Sequence, residues 1–78
     1  VWASLGFCQL QQGKDSEAAT SLERALNLDP SLKIFRYLAT ALMNLGDYSA
    51  ATEACSMAVK NGEPGAISLQ ERITARLP

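Results

Sequence analysis

Apolar residues recur three or four positions apart along most of the chain, which is the spacing of one face of an α-helix. The cleanest stripe consists of Phe35, Leu38, Leu42 and Leu45. A similar stripe begins at Trp2, and from Ser31 onward the β-branched residues stand singly within helical patterns. The pattern therefore predicts helices and, from Ser31 onward, no strand.

Turn residues divide this pattern into five predicted helices. Gly13 and Gly46 each follow an apolar stripe and suit the left-handed residue that ends a helix. Asp29-Pro30 and the stretch "NGEPG" mark further turns, because proline cannot continue a helix. The capping candidates after the two glycines are Asp15, Ser16, Asp47 and Ser49. The fifth helix carries a narrow apolar stripe of Ala66, Leu69, Ile73 and Leu77.

The chain resembles itself at an offset of 33 residues. Large apolar positions recur as large ones and small positions recur as small ones, which indicates an internal repeat of a two-helix unit. The aligned pairs include Trp2 with Phe35, Leu5 with Leu38, Gly6 with Ala39, Ala18 with Ala51, and Ala25 with Ala58. The small residues are expected where two helices approach closely, and Trp2, Leu22, Phe35 and Leu38 where the space between helices is filled.

These features predict an all-α fold, an α-solenoid of antiparallel helical hairpins with about five helices in a single domain. The predicted parts are repeat 1 (about 1–31), repeat 2 (about 32–64) and a last helix (about 66–77). The last helix aligns poorly with residues 2–12, so we expect it to cap the stack rather than to open a third repeat. Because a helical pattern starts directly after Val1, we interpret the sequence as a segment of a longer protein.

Composition narrows the classes of partner. The chain has 78 residues, 47% of them apolar, which is typical of one small globular domain. Seven basic and eight acidic residues are spread along it, so we expect no surface for nucleic acid or an anionic membrane. No apolar run is long enough to cross a bilayer.

The two cysteines, Cys8 and Cys55, would permit one disulfide. We favour two reduced core thiols in a cytoplasmic protein, because free cysteine is among the most buried residue types. A zinc site of cysteine and histidine is excluded, since the chain has no histidine.

The stretch "GFCQLQQGK" has the glycines and the lysine of a phosphate-binding loop, but it does not match the motif of that loop. Six residues separate its glycines where that loop has four, Lys14 is followed by Asp15, and a helix precedes it where a strand is required. Without histidine, Ser–His and Cys–His pairs are excluded as well. The acidic residues near helix starts fit solvated, dipole-complementing positions. We expect no enzyme, no cofactor, no metal and no small-molecule substrate.

The segments "WASLG", "GKDSEAA" and "LERALNLDP" together resemble a tetratricopeptide repeat. The residues that match its signature are Trp2, Leu5, Gly6, Ala18, Ala25 and Pro30. Gln9 departs from it, because the family usually has an aromatic residue there. Repeat 2 matches more loosely through Phe35, Leu38, Ala39, Tyr48, Ala51 and Ala58, and Pro64 comes one residue late. The resemblance covers residues 1–64.

The resemblance implies a concave groove, lined by the first helix of each pair, that holds a peptide of a partner protein. By pattern the groove candidates are Phe7, Leu10 and Gln11 from the first pair, and Lys33, Arg36, Tyr37, Thr40, Met43 and Asn44 from the second. Phe7, Tyr37 and Met43 would give apolar contact, Gln11 and Asn44 would bond a peptide backbone, and Arg36 would meet a carboxylate. The plainer alternative is that Arg36 and Asn44 are merely solvated and that Phe7 packs on a neighbouring helix.

Family members that bind the acidic C-termini of chaperones carry a Lys/Asn clamp on these faces. Here Ala3 and Phe7 stand at the first-helix positions and Tyr37 replaces the second-helix asparagine, so we do not expect that partner. Two functions remain open. The chain is either a peptide-binding module or a structural segment that stacks on further repeats or on a second copy of itself.

Overall fold

The structure is a computed structural model that describes residues 2–29 and 31–76. These residues form the α-helices α1 (Trp2–Gln11), α2 (Asp15–Leu28), α3 (Phe35–Asn44), α4 (Tyr48–Lys60) and α5 (Ala66–Arg76). The described ranges contain no strand, which confirms the all-α prediction. The predicted turn residue Pro30 and the last stripe position, Leu77, lie outside the described residues.

Successive helices pack in the order of the chain. The pairs α1–α2 and α3–α4 form the predicted helical hairpins, and α2 lies against α3 as α4 lies against α5. α1 and α5 also touch the flanks of α3, so α3 is the central helix of the molecule. None of the described helices is long and apolar enough to cross a membrane.

Two glycines close the hairpins as predicted. Gly13 and Gly46 have φ angles of 81° and 85°, which residues with a Cβ atom rarely adopt. The Lys14 amide donates to the Gln9 carbonyl at 2.9 Å, and the Gly13 amide donates to the Leu10 carbonyl at 3.1 Å. This pair of bonds satisfies carbonyls at the end of α1 and reverses the chain toward α2.

The capping prediction is confirmed only at Asp47, whose carboxylate accepts a hydrogen bond from the Ala50 amide at 3.3 Å. The equivalent position before α2 is Lys14, whose side chain offers no acceptor. The prediction is wrong for Asp15, Ser16 and Ser49, because α2 begins at Asp15 and α4 at Tyr48, so all three residues lie within the helices. Asp15 instead lies in the first turn of α2, where a negative charge complements the helix dipole.

The small residues of the repeat are buried where helices cross. Gly6 and its counterpart Ala39 are buried, and so are Ala18, Ala25, Ala51 and Ala58. A Cβ atom built on Gly6 would lie 2.7 Å from Cγ of Leu22, so only glycine lets α1 approach α2 this closely. Leu22 and Leu38 fill the core as predicted, whereas Trp2 and Phe35 are only half-buried.

Replacing Ala18 or Ala51 with leucine is expected to lower the free energy of unfolding by about 1–3 kcal/mol, because overpacking forces neighbours out of place. Both alanines are fully buried at equivalent positions of the two repeats. The matched control is Ala75→Leu on the exposed side of α5, which should change stability by about 0.5 kcal/mol or less. Thermal melts in which the buried and exposed substitutions behave alike would contradict the packing.

The position of α5 relative to α3 and α4 resembles that of α3 relative to α1 and α2. It buries Ala66, Leu69 and Ile73. Counted from each helix start, Gln70 stands where α1 has Gly6 and α3 has Ala39. A long, half-buried polar side chain there leaves less room for a further helix to cross. That α5 caps the stack stays a prediction.

Candidate protein-binding groove

A groove runs between α1, α3 and α5. It encloses a cavity of about 350 Å³, lined by Phe7 and Leu10 of α1, Arg36, Tyr37 and Thr40 of α3, and Gly65, Ser68, Leu69 and Arg72 at the α5 side. Five of the nine predicted groove residues therefore meet at one cavity, and the helix that the prediction left out supplies its third wall.

The floor of the groove is aromatic. Phe7 and Tyr37 meet edge to face with their ring centroids 5.1 Å apart, and Phe7 remains 38% exposed. The guanidinium of Arg36 lies over the Tyr37 ring, 4.8 Å from its centroid. The plainer alternative is thus right that Phe7 contacts a neighbouring helix, although much of its ring still faces the solvent. Arg36 is stacked and half-buried rather than fully solvated.

Four predicted residues lie elsewhere. Gln11 is exposed at the end of α1, and Met43 is half-buried against the core. Lys33, which the pattern placed on a helix, lies in the turn before α3. The Asn44 amide donates to the Asp15 carboxylate at 3.1 Å, so it ties the end of α3 to the start of α2.

Glu63 is a further residue near the groove that the sequence pattern missed. It lies in the turn between α4 and α5 and is only 6% exposed. Its carboxylate accepts hydrogen bonds from the amide of Phe35 at 3.2 Å and from the amide of Arg36 at 3.0 Å. The residue before α3 is Ile34, whose side chain has no hydrogen-bond acceptor. Glu63 therefore caps α3 from the turn that follows α4 and holds the backbone beneath Arg36.

One signal for Glu63 was present in the sequence. It follows Pro30 by 33 residues, so it stands where the repeat signature has its closing proline, and Pro64 comes one residue late. A departure at a signature position indicates a changed contact, although it does not identify the partner.

Cys55 lies fully buried next to this turn. Its thiol donates to the Ala66 carbonyl at 3.2 Å. Burial raises the pKa of the Cys55 thiol above its ordinary value, and the nearby charge of Glu63 raises this pKa further. Both cysteines are free thiols as favoured, although Cys8 is exposed rather than in the core. Within residues 2–29 and 31–76, no group of acidic or cysteine side chains could hold a metal ion.

A second cavity, of about 360 Å³, lies between α1 and α2, and we call it the front cavity. It is lined by Trp2, Leu5, Gln9, Ser16, Glu17, Thr20, Ser21 and Arg24. The buried Ser21 hydroxyl donates to Gln9 at 2.7 Å, and the Arg24 guanidinium covers the Trp2 ring at 4.9 Å. Gln9, which departs from the family signature, thus has a polar partner in this repeat.

Comparison with known families agrees with the first helical hairpin. The family model described as Tetratricopeptide repeat matches residues 1–32, which comprise α1, α2 and the start of the turn that follows them. The match confirms the predicted assignment to the tetratricopeptide repeat family through the first repeat. No curated protein and no solved structure matches the chain. Repeats of this family generally mediate protein–protein interactions without catalysis, and this general class of function is the one that the match supports.

Proposed function

We propose that the chain is a non-catalytic module that holds a peptide segment of a partner protein in the groove between α1, α3 and α5. The observation that carries this proposal is the convergence of Phe7, Leu10, Arg36, Tyr37 and Thr40 on one open cavity. Exposed aromatic and arginine side chains in a concave surface are the residues that contribute most to protein interfaces.

A displayed library of random 12-residue peptides tests the proposal directly. The chain should enrich peptides that lose binding to the variant Ser68→Trp, because the bulky ring would fill the groove from α5. Ser56→Trp, at an exposed site on α4 away from this cavity, is the matched control and should bind like the wild type. Failure to enrich any peptide, or equal binding by both variants, would contradict the proposal.

A structural role through the front cavity is the second candidate. Its counterpart in repeat 2 is lined by Phe35, Leu38, Leu42, Ala50, Glu53, Ala54 and Met57, and Glu23 of α2 completes it. A further repeat, or a second copy, would border the front cavity as α2 borders this counterpart. However, Gln9, Ser21 and Arg24 replace Leu42, Ala54 and Met57, so the front cavity is more polar. We therefore favour the groove.

The second candidate is tested by solution mass. If the chain associates through the front cavity, sedimentation at high concentration should give a dimer that Ser16→Trp disrupts and Ser56→Trp leaves intact. A monomeric mass at all concentrations would rule out self-association of the chain.

A further inference from the structure

The groove carries a charge opposite in sign to the chain as a whole. Its described lining includes the cations Arg36 and Arg72 and no acidic residue, whereas the whole sequence has a net charge of −1. Glu63, in the turn before α5, is buried and its carboxylate accepts hydrogen bonds from the backbone amides at the start of α3. An entering segment therefore meets two guanidinium groups beside an apolar floor.

We propose that the partner segment is acidic, with aspartate or glutamate residues flanking a large apolar side chain. This proposal rests on the proposed function and names the chemistry of its partner. The carboxylates would meet Arg36 and Arg72, while the apolar side chain packs between Phe7, Leu10 and Leu69.

Arg36 suits this role because it is already positioned. Its guanidinium stacks on Tyr37 at 4.8 Å, and its backbone amide is fixed by Glu63 at 3.0 Å. A guanidinium that is held in place loses less side-chain entropy when it forms a paired hydrogen bond with a carboxylate. Partial removal from water also strengthens the attraction between opposite charges.

A nucleic acid fits the groove less well than an acidic peptide. Affinity for a polyanion grows with the number of phosphates that are neutralised, and the groove offers two arginines within a chain that has one more acidic than basic residue. The apolar lining residues Phe7, Leu10 and Leu69 match an apolar side chain between the charges.

The peptides enriched from the library provide the test. We expect them to carry aspartate or glutamate beside a leucine or an aromatic residue. In fluorescence anisotropy, the best fluorescein-labelled peptide should bind about tenfold more tightly than its counterpart with every Asp changed to Asn and every Glu to Gln. Its affinity should fall as salt concentration rises.

Variants of the chain test whether Arg72 is responsible for the preference for acidic peptides. Arg72→Gln should weaken binding of the acidic peptide about tenfold without changing that of its amide counterpart. Arg72→Lys, which keeps the charge, should restore part of the loss. The matched control is Arg24→Gln, an arginine of the front cavity, which should leave both affinities unchanged.

The outcomes separate this inference from the proposed function. Enriched peptides without acidic residues that still lose binding to Ser68→Trp would overturn the acidic partner and leave the groove function standing. Equal binding of the acidic peptide and its amide counterpart would do the same. A fluorescein-labelled 12-nucleotide thymidine strand that binds more tightly than the peptide and loses binding with Arg72→Gln would overturn the inference in favour of nucleic acid.

Discussion

Replacing Leu22 with alanine is expected to lower the free energy of unfolding by about 2–5 kcal/mol. Leu22 is fully buried between the helices of the first hairpin, and its loss removes apolar contacts and leaves a cavity. A domain of 78 residues has a small core, so this loss would bring the protein close to unfolding at room temperature. Urea denaturation followed by circular dichroism measures it. The matched control is Leu28→Ala on the same helix, which is 75% exposed and should change stability by about 0.5 kcal/mol or less.

A substitution at Gly6 tests the contact between Gly6 and Leu22 directly. In the wild-type chain, Gly6→Ala should destabilise although alanine favours a helix by about 1 kcal/mol, because its methyl group would lie 2.7 Å from Cγ of Leu22. In the Leu22→Ala background the clash is absent, and the nearest remaining atom is the Ala18 carbonyl oxygen at 3.3 Å. There Gly6→Ala should stabilise. Additive effects of the two substitutions in a double-mutant cycle would contradict the contact.

The repeat pattern predicted this hairpin well, because the sizes of its residues follow from positions close in the sequence and the same pattern occurs in both repeats. Gly6 and Ala39, or Ala18 and Ala51, have the same size at the same position, and each pair is buried as expected. Helix ends were predicted where glycine determines the backbone conformation. The start of α2 was not, because Lys14 occupies the position that Asp47 uses as a cap before α4.

The groove was predicted in part, for a physical reason. Residues on α1 and α3 could be placed by periodicity, which gives the side of a helix that a residue occupies. Periodicity could not show that Asn44 is drawn away to Asp15, nor that α5 closes the groove with Arg72. These contacts join residues that are distant in the sequence. The same holds for Glu63 and α3, which no rule for local capping connects.

Replacing Glu63 with alanine is expected to lower the free energy of unfolding by about 1–3 kcal/mol, because two backbone amides at the start of α3 lose a charged acceptor. Glu63→Gln should cost less, since one amide oxygen can still accept a hydrogen bond. The exposed Glu53→Ala on α4 is the matched control, with an expected change of about 0.5 kcal/mol or less. Asp47→Ala, which removes one exposed bond at an ordinary cap, should cost about 0.5–2 kcal/mol.

Hydrogen exchange distinguishes this contact from a general loss of packing. Glu63 joins the turn before α5 to the first turn of α3, so Glu63→Ala should speed amide exchange at Phe35 and Arg36 together with the start of α5. Exchange in α1 and α2 should follow only the change in global stability. Because Arg36 then loses its fixed backbone, the variant should also bind groove peptides more weakly than Glu53→Ala does. Unchanged exchange at Phe35 and Arg36 would show that Glu63 does not hold α3 in solution.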